Sequence, residues 1–309
     1  MRPRPPDPSS VRLDGPWVHR AISANGIRLH VAECGSGPLV VLLHGFPEFW
    51  WSWRHQLVGL AERGYRAVAV DLRGYGDSDK PPRGYDLWTL AGDVAGLIKG
   101  LGEPRAHVVG HGWGGLIAWT LAALHPRLVG SLAVVGAPHP LAVRSAVLRD
   151  LRGQGRATAG YALGFQLPRR PERSLREDGG ARVERIMRAW SGGDWTATAD
   201  FAATVERYRH AIQIPGVVHC SMEYYRWAAR SQLRPEGRRF AAAVARPTEV
   251  PVLQVHGAAD PWLLPSTAAA SVPWAGAGHR MELLAGTGHF PHEERPLRST
   301  ELLAAHLGS

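Results

Sequence analysis

Lysine and cysteine are scarce in this chain of 309 residues. Only Lys80 and Lys99 are present, so the formal charge of +9 comes almost entirely from arginine. No basic stretch carries the interleaved aromatic residues of a nucleic-acid-binding surface, and we therefore expect no nucleic-acid partner. The two cysteines, Cys34 and Cys220, lie far apart without metal-ligand spacing. We expect both to be small buried residues, as in the reducing cytoplasm.

Long apolar segments are missing as well. The run Leu39–Leu43 is far too short to span a bilayer, which takes roughly 20 apolar residues. The N-terminal sixteen residues are rich in proline and arginine and have no apolar region like that of a secretory signal. We therefore expect a soluble cytoplasmic protein without membrane contact, in which residues 1–16 form a flexible arm.

Short apolar segments alternate with helical patterns through much of the chain. Asn25-Gly26 separates two alternating segments, which is a strong signal for a β-hairpin. Further strands are predicted at Leu39–Leu43 and at 65–71, 106–110, 128–135, 250–256 and 280–284, and helices at 53–63, 87–101, 113–125 and 296–307. This alternation predicts an α/β fold with a mostly parallel, doubly wound sheet of about eight strands.

The alternation is interrupted in the middle of the chain. Residues 140–246 are rich in arginine and helical in pattern, without a clear strand. We predict that this segment is an inserted helical cap, and that residues 17–139 and 247–309 form the core. A chain of this length suits one large domain that carries such an insertion.

The candidate chemistry begins at a glycine-rich turn between a predicted strand and a predicted helix. The segment Gly110–Gly114 has the pattern of a nucleophile elbow, in which the middle residue is presented at the edge of the sheet. In this sequence the middle residue is Gly112. The turn after Leu39–Leu43 contains Phe46, and the backbone N–H groups of Phe46 and Trp113 are predicted to form an oxyanion hole.

An acid and a base follow in the order that α/β-hydrolases use. Asp260 lies in the turn after one predicted core strand, and His289 lies between the last strand and the last helix. A carboxylate that orients a histidine in this way allows the ring to act as a general base. We therefore assign His289 as the base and Asp260 as its partner.

These motifs resemble the epoxide hydrolases over nearly the whole chain, and the resemblance implies the α/β-hydrolase fold. The matching segments are 44–48, 71–81, 110–115, 137–140 and 288–294; the neighbouring haloalkane dehalogenases are similar but usually have asparagine where Phe46 stands. The resemblance implies that an elbow carboxylate attacks an epoxide carbon and that a His–Asp pair activates water to hydrolyse the ester. It also implies two cap tyrosines that donate hydrogen bonds to the epoxide oxygen, which correspond to Tyr161 and Tyr225.

The departure from this family lies at Gly112, which has no side chain and can form no covalent ester. Three hypotheses remain open. The protein is a slower hydrolase of a small lipophilic epoxide or ester in which His289 activates water, a catalytically inactive binding protein for a small lipophilic molecule, or an interaction module whose protein partner is unknown. Glu48 is the nearest carboxylate that could replace the nucleophile. No cofactor and no metal is expected.

Overall fold

The computed structural model describes residues 4–308, except for the side chains of residues 161 and 162. Its central sheet has eight strands in the order β1-β2-β4-β3-β5-β6-β7-β8. The strands are β1 Val18–Ala24, β2 Ile27–Cys34, β3 Leu39–Leu43, β4 Arg66–Val70, β5 Ala106–His111, β6 Val129–Val135, β7 Val252–Gly257 and β8 His279–Leu284. β2 pairs antiparallel with β1 and β4, whereas the other pairs are parallel. The predicted α/β-hydrolase fold is confirmed.

The helices of the core cover this sheet on both faces. They are α1 Arg54–Ala61, α2 Leu87–Gly100, α3 Trp113–Leu124, α12 Pro265–Ala269, α13 Val272–Ala275, α14 Pro291–Glu294 and α15 Pro296–Leu307. α1 packs against α15, and α2 packs against α3. Every residue of β3 is buried, as expected for a strand with helices on both sides.

Eight helices lie between β6 and β7. They are α4 Pro140–Arg149, α5 Gln154–Gly164, α6 Arg170–Arg176, α7 Ala181–Trp190, α8 Gly193–Thr196, α9 Ala199–Ala211, α10 Val217–Ser231 and α11 Pro235–Ala243. None of the helices in the described part of the chain is long and apolar enough to cross a membrane. Cys220 is buried in α10, whereas Cys34 at the end of β2 is only half-buried, contrary to expectation.

The N-terminal segment differs from the flexible arm expected for residues 1–16. A short 3-10 turn, Pro8–Val11, packs against the core, and Val11 is buried. The indole of Trp50 donates a hydrogen bond to the carbonyl of Val11 at 2.8 Å, and Arg12 pairs with Asp77. One apolar side chain and one ion pair therefore hold this segment in place, although its composition suggested a solvated tail. Residues 1–3 lie outside the described part of the chain.

Candidate active site

The elbow is a sharp turn between β5 and α3. Gly112 has φ 50° and ψ −115°, a conformation that residues with a side chain adopt only under strain. A Cβ atom at Gly110 or Gly114 would collide with backbone carbonyl groups, so these two glycines are needed for the tight turn. At Gly112 a Cβ atom would meet only Gly45 Cα at 3.6 Å and His289 Nε2 at 3.7 Å. The elbow therefore has room for a side chain that this sequence does not supply.

His289 and Asp260 are brought together at the ends of β8 and β7. His289 Nδ1 lies 2.7 Å from Asp260 Oδ2, and the other carboxylate oxygen accepts hydrogen bonds from the backbone N–H groups of Trp262 and Leu263. Burial raises the pKa of Asp260, but His289, His256 and the backbone N–H of Leu263 outweigh it, and the net pKa is lowered. Asp260 thus stays ionised and fixes the His289 ring, with Nε2 facing Gly112.

Two backbone donors belong to residues that line the same cavity as this histidine. Within residues 4–308, neither the N–H of Phe46 nor that of Trp113 has a hydrogen-bond acceptor. Trp113 is the first residue of α3, a helix of 12 residues, where the partial positive charge of the helix dipole is concentrated. Phe46, Trp113, Gly112 and His289 all line one cavity, so these donors are available to a bound molecule.

The cavity has a volume of about 400 Å³ and lies between the core and the inserted helices. Most of its walls are aromatic or aliphatic, including Leu116, Val147, Trp190, Tyr225 and Phe240. Arg144 on α4 also lines it, and no aspartate or glutamate is found among the described lining residues. A cavity of this size and apolarity suits a small lipophilic molecule.

Comparison with known proteins places the fold and these motifs in a family. Residues 38–296 match the family model described as alpha/beta hydrolase fold. The chain belongs to the α/β-hydrolase family.

The relatives of this α/β-hydrolase include epoxide hydrolases. It is 33% identical over 290 residues to the AB hydrolase superfamily protein YfhM of Bacillus subtilis, covering 93% of this chain and 96% of that protein. Epoxide hydrolase A of Mycobacterium tuberculosis is 30% identical over 311 residues, with 94% and 97% covered. The structure of an epoxide hydrolase from an endophytic Streptomyces matches with a TM-score of 0.81 at 29% identity, over 96% of both chains. The resemblance to epoxide hydrolases is confirmed.

Of the two tyrosines assigned to substrate binding, the structure describes the side chain of Tyr225 but not that of Tyr161. Tyr225 on α10 lines the cavity of the hydrolase, and its ring contacts Phe46, Trp113 and Phe165 at centroid distances of 5.6, 5.2 and 4.9 Å. This position allows the Tyr225 hydroxyl to meet a bound molecule. The side chain of Tyr161 lies outside the described residues, although its backbone belongs to α5.

A buried ionic network lies beneath the elbow of the hydrolase. Glu48 Oε2 accepts a hydrogen bond from Gly45 N at 2.6 Å and lies 2.8 Å from His111 Nδ1, while Glu48 Oε1 lies 3.3 Å from His292 Nε2. His111 Nε2 lies 2.9 Å from the carbonyl oxygen of His289. Because a carbonyl can only accept, His111 donates from Nε2, and its Nδ1 shares a second proton with Glu48.

The ionisation of this network follows from its burial and charges. Burial raises the pKa of Glu48, but His111 and His292 outweigh it and hold the pKa well below the usual range. Burial lowers the pKa of His111, but Glu48 outweighs it and the net pKa is raised. For His292, burial dominates and lowers the pKa to about 4. Glu48 and His111 thus form a buried ion pair that also anchors the backbone of His289.

The buried network around Glu48 concerns two questions: whether Glu48 could replace the nucleophile, and whether a metal ion could bind here. Glu48, considered as a replacement nucleophile, is fully buried and does not line the cavity, so it cannot reach a bound molecule. The ligating atoms of Glu48, His111 and His292 lie within 4.8 Å of one another, which is the one cluster of potential metal ligands among the described side chains. Both nitrogens of His111 already face acceptors, so the geometry is that of a protonated histidine rather than a metal ligand.

Proposed function

We propose that this protein hydrolyses a small lipophilic epoxide or ester with a water molecule activated by His289. The observation that carries the proposal is the orientation of the ring. With Nδ1 held 2.7 Å from Asp260, Nε2 is directed at the unfilled space beside Gly112, 3.7 Å from where a Cβ would lie. A water molecule in that space could transfer a proton to Nε2 as it attacks the substrate.

Other parts of the site would stabilise the charge that develops on the substrate. For an ester, the N–H groups of Phe46 and Trp113 would hold the tetrahedral oxyanion; for an epoxide, Tyr225 and Tyr161 would donate to the ring oxygen. General-base catalysis contributes about 10²–10⁴-fold, and one oxyanion donor about 10²–10³-fold. Gly112 offers no carboxylate, so the reaction would proceed without an ester to the protein.

The proposal is tested by turnover of an epoxide and ester panel with two variants. His289→Ala should remove essentially all turnover, because the base is lost. Asp260→Asn should cost less, because the base survives while its orientation suffers. Turnover that survives His289→Ala would overturn the direct-water mechanism.

The cavity also supports a second function, that of a catalytically inactive binding protein. Its apolar walls and unused donors would hold a small lipophilic molecule whether or not water attacks it. Absence of turnover on the whole panel, together with tight binding of a substrate analogue, would favour this function over the hydrolase.

A further inference from the structure

We propose that the elbow binds the carboxylate group of a lipophilic monocarboxylic acid. The inference rests on the proposed function and narrows it: the substrate is an ester of such an acid, and the free acid is the product that the site retains.

The first argument is the unfilled space at the elbow. Only Gly45 Cα and His289 Nε2 would lie within 4 Å of a Cβ atom at Gly112, so a small group of a ligand can enter where a side chain is missing. Phe46 and Trp113 line the same cavity, and neither backbone N–H has an acceptor within the described chain, so both can donate to a ligand bound there. His289 is 2% exposed, and no hydrogen bond to its Nε2 exists among the described residues.

The second argument is the sign of the charges that surround the cavity. No carboxylate lines the described part of its wall, and Arg144 contributes a positive charge that has no ion-pair partner among the described residues. The N-terminus of α3 adds a partial positive charge at the elbow. A neutral ligand would gain little from this positive potential. A carboxylate would be attracted by it and would accept charge-assisted hydrogen bonds from the N–H donors.

The distribution of charge along the chain agrees with this reasoning. Residues 140–246 contain 19 of the 36 basic residues and 10 of the 27 acidic residues, which gives this segment a formal charge of +9. The remaining 17 basic and 17 acidic residues cancel. All of the excess positive charge therefore lies in the segment that covers the cavity, where it would attract an anionic ligand from solution.

The apolar walls define the rest of the ligand. Leu116, Val143, Val147 and Phe240 offer no partner for a second ionised group. Arg144 is the one arginine or lysine among the described lining residues, and the polar residues Thr158, Ser231 and Gln232 are uncharged. Burying a second carboxylate against such walls would be strongly unfavourable. The ligand is therefore a monocarboxylate with an apolar body, rather than a dicarboxylate or a sugar acid.

The corresponding reaction balances without any further reactant. Water oxygen adds to the ester carbonyl carbon while a water proton passes to His289 Nε2, and the carbonyl oxygen becomes an oxyanion held by Phe46 and Trp113. The carbon–oxygen bond to the alcohol then breaks, and the leaving alkoxide takes the proton from His289. The acid ionises, and the same two N–H groups hold its carboxylate.

The test measures equilibrium binding of a matched pair, phenylbutyrate and phenylbutyramide. Quenching of the fluorescence of the cavity tryptophans reports the binding of each compound. The carboxylate should bind about tenfold more tightly than the amide, because its hydrogen bonds are charge-assisted. Gly112→Asp should abolish this preference by placing a negative charge in the same space, whereas the neutral, isosteric Gly112→Asn should retain part of it. Thermal melts establish that each variant is folded.

A second pair of variants tests the cavity charge without altering the elbow. Arg144→Gln should weaken carboxylate binding several-fold and leave amide binding nearly unchanged. Arg149→Gln, at an exposed position on the same helix that does not line the cavity, should change neither. An unmodified protein that prefers the amide, binds both equally or binds neither would overturn the inference. A preference that survives Gly112→Asp would overturn the placement at the elbow.

These outcomes are separate from those of the proposed function, since binding is measured without turnover. Turnover that depends on His289, found together with no carboxylate preference, would overturn only the carboxylate inference. A clear preference for the carboxylate with no turnover on any ester would support the binding site and overturn the hydrolytic function.

Discussion

Replacing Gly112 with aspartate would supply the carboxylate that the elbow lacks. Its effect on stability can be estimated from two features of the turn. The conformation φ 50° and ψ −115° is strained for a residue with a Cβ atom, at a cost of about 1–3 kcal/mol. The nearest atoms to the new Cβ, at 3.6 and 3.7 Å, are at ordinary van der Waals distance, so the Cβ atom itself adds no steric penalty. Urea unfolding should therefore show a loss of about 1–3 kcal/mol.

The same substitution should install or greatly raise epoxide hydrolysis. The new carboxylate would lie beside His289 and the N–H groups of Phe46 and Trp113, which are the groups needed to attack an epoxide and to hydrolyse the resulting ester. Diol formation across an epoxide panel measures the gain, and intact-mass spectra detect the ester. Gly112→Asn is the matched control: it should lose similar stability without gaining activity. A folded aspartate variant that stays inert on the panel, or an asparagine variant that is equally active, would refute the reasoning.

Three other predictions concern the unmodified elbow, the cavity wall and the network beneath it. Intact-mass spectra of the unmodified protein during exposure to epoxides or haloalkanes should show no adduct, because Gly112 has no carboxylate; a stable adduct mapped to the elbow or to Glu48 would contradict this. Tyr225→Phe should weaken binding of an epoxide analogue by about 0.5–1.5 kcal/mol, the usual value of one hydrogen bond to a neutral ligand; unchanged affinity would exclude the hydroxyl from binding. Glu48→Gln should destabilise the fold by about 3–5 kcal/mol, because it leaves the buried charge of His111 unpaired. The lowered pKa of Glu48 means that its contribution is present above the usual value of 4.5 and disappears as the pH falls through the folded-state pKa; the variant and the unmodified protein should therefore converge in acid, and an equal difference at all pH values would contradict the assignment.

The arrangement of the site was predictable because the fold is regular where the site lies. Phe46, Gly112, Asp260 and His289 each follow a strand of the sheet, and β3, β5, β7 and β8 run parallel to one another. The carboxyl ends of parallel strands meet at one edge, which brings residues far apart in sequence together. The regularity of the pattern also located elements closely: the helix predicted at 296–307 is observed as Pro296–Leu307.

Features that depend on side-chain packing could not be predicted. Glu48, His111 and His292 come from three separate motifs, and only the assembled structure shows that they form one buried network. Arg144 lies on α4, which the sequence pattern predicts to be helical. The pattern does not show that this helix lines the cavity. The packing of Val11 against the core likewise depends on the indole of Trp50, 39 residues away. In each case the partner lies far off in sequence, and no local periodicity encodes the contact.

The absence of a side chain at Gly112 changes the electrostatics of the site more than its shape. Asp260 remains bonded to His289, the two backbone donors remain free within the described chain, and the network around Glu48 still anchors the backbone of His289. What is missing is the one negative group that would face the cavity. Besides the base His289, the described groups left there include two backbone N–H donors and the positive charge of Arg144, which is why we propose a ligand that carries negative charge or acquires it during reaction. The proposed ester hydrolysis by water would satisfy both conditions, because its intermediate and its acid product are anions that the same two N–H groups would hold.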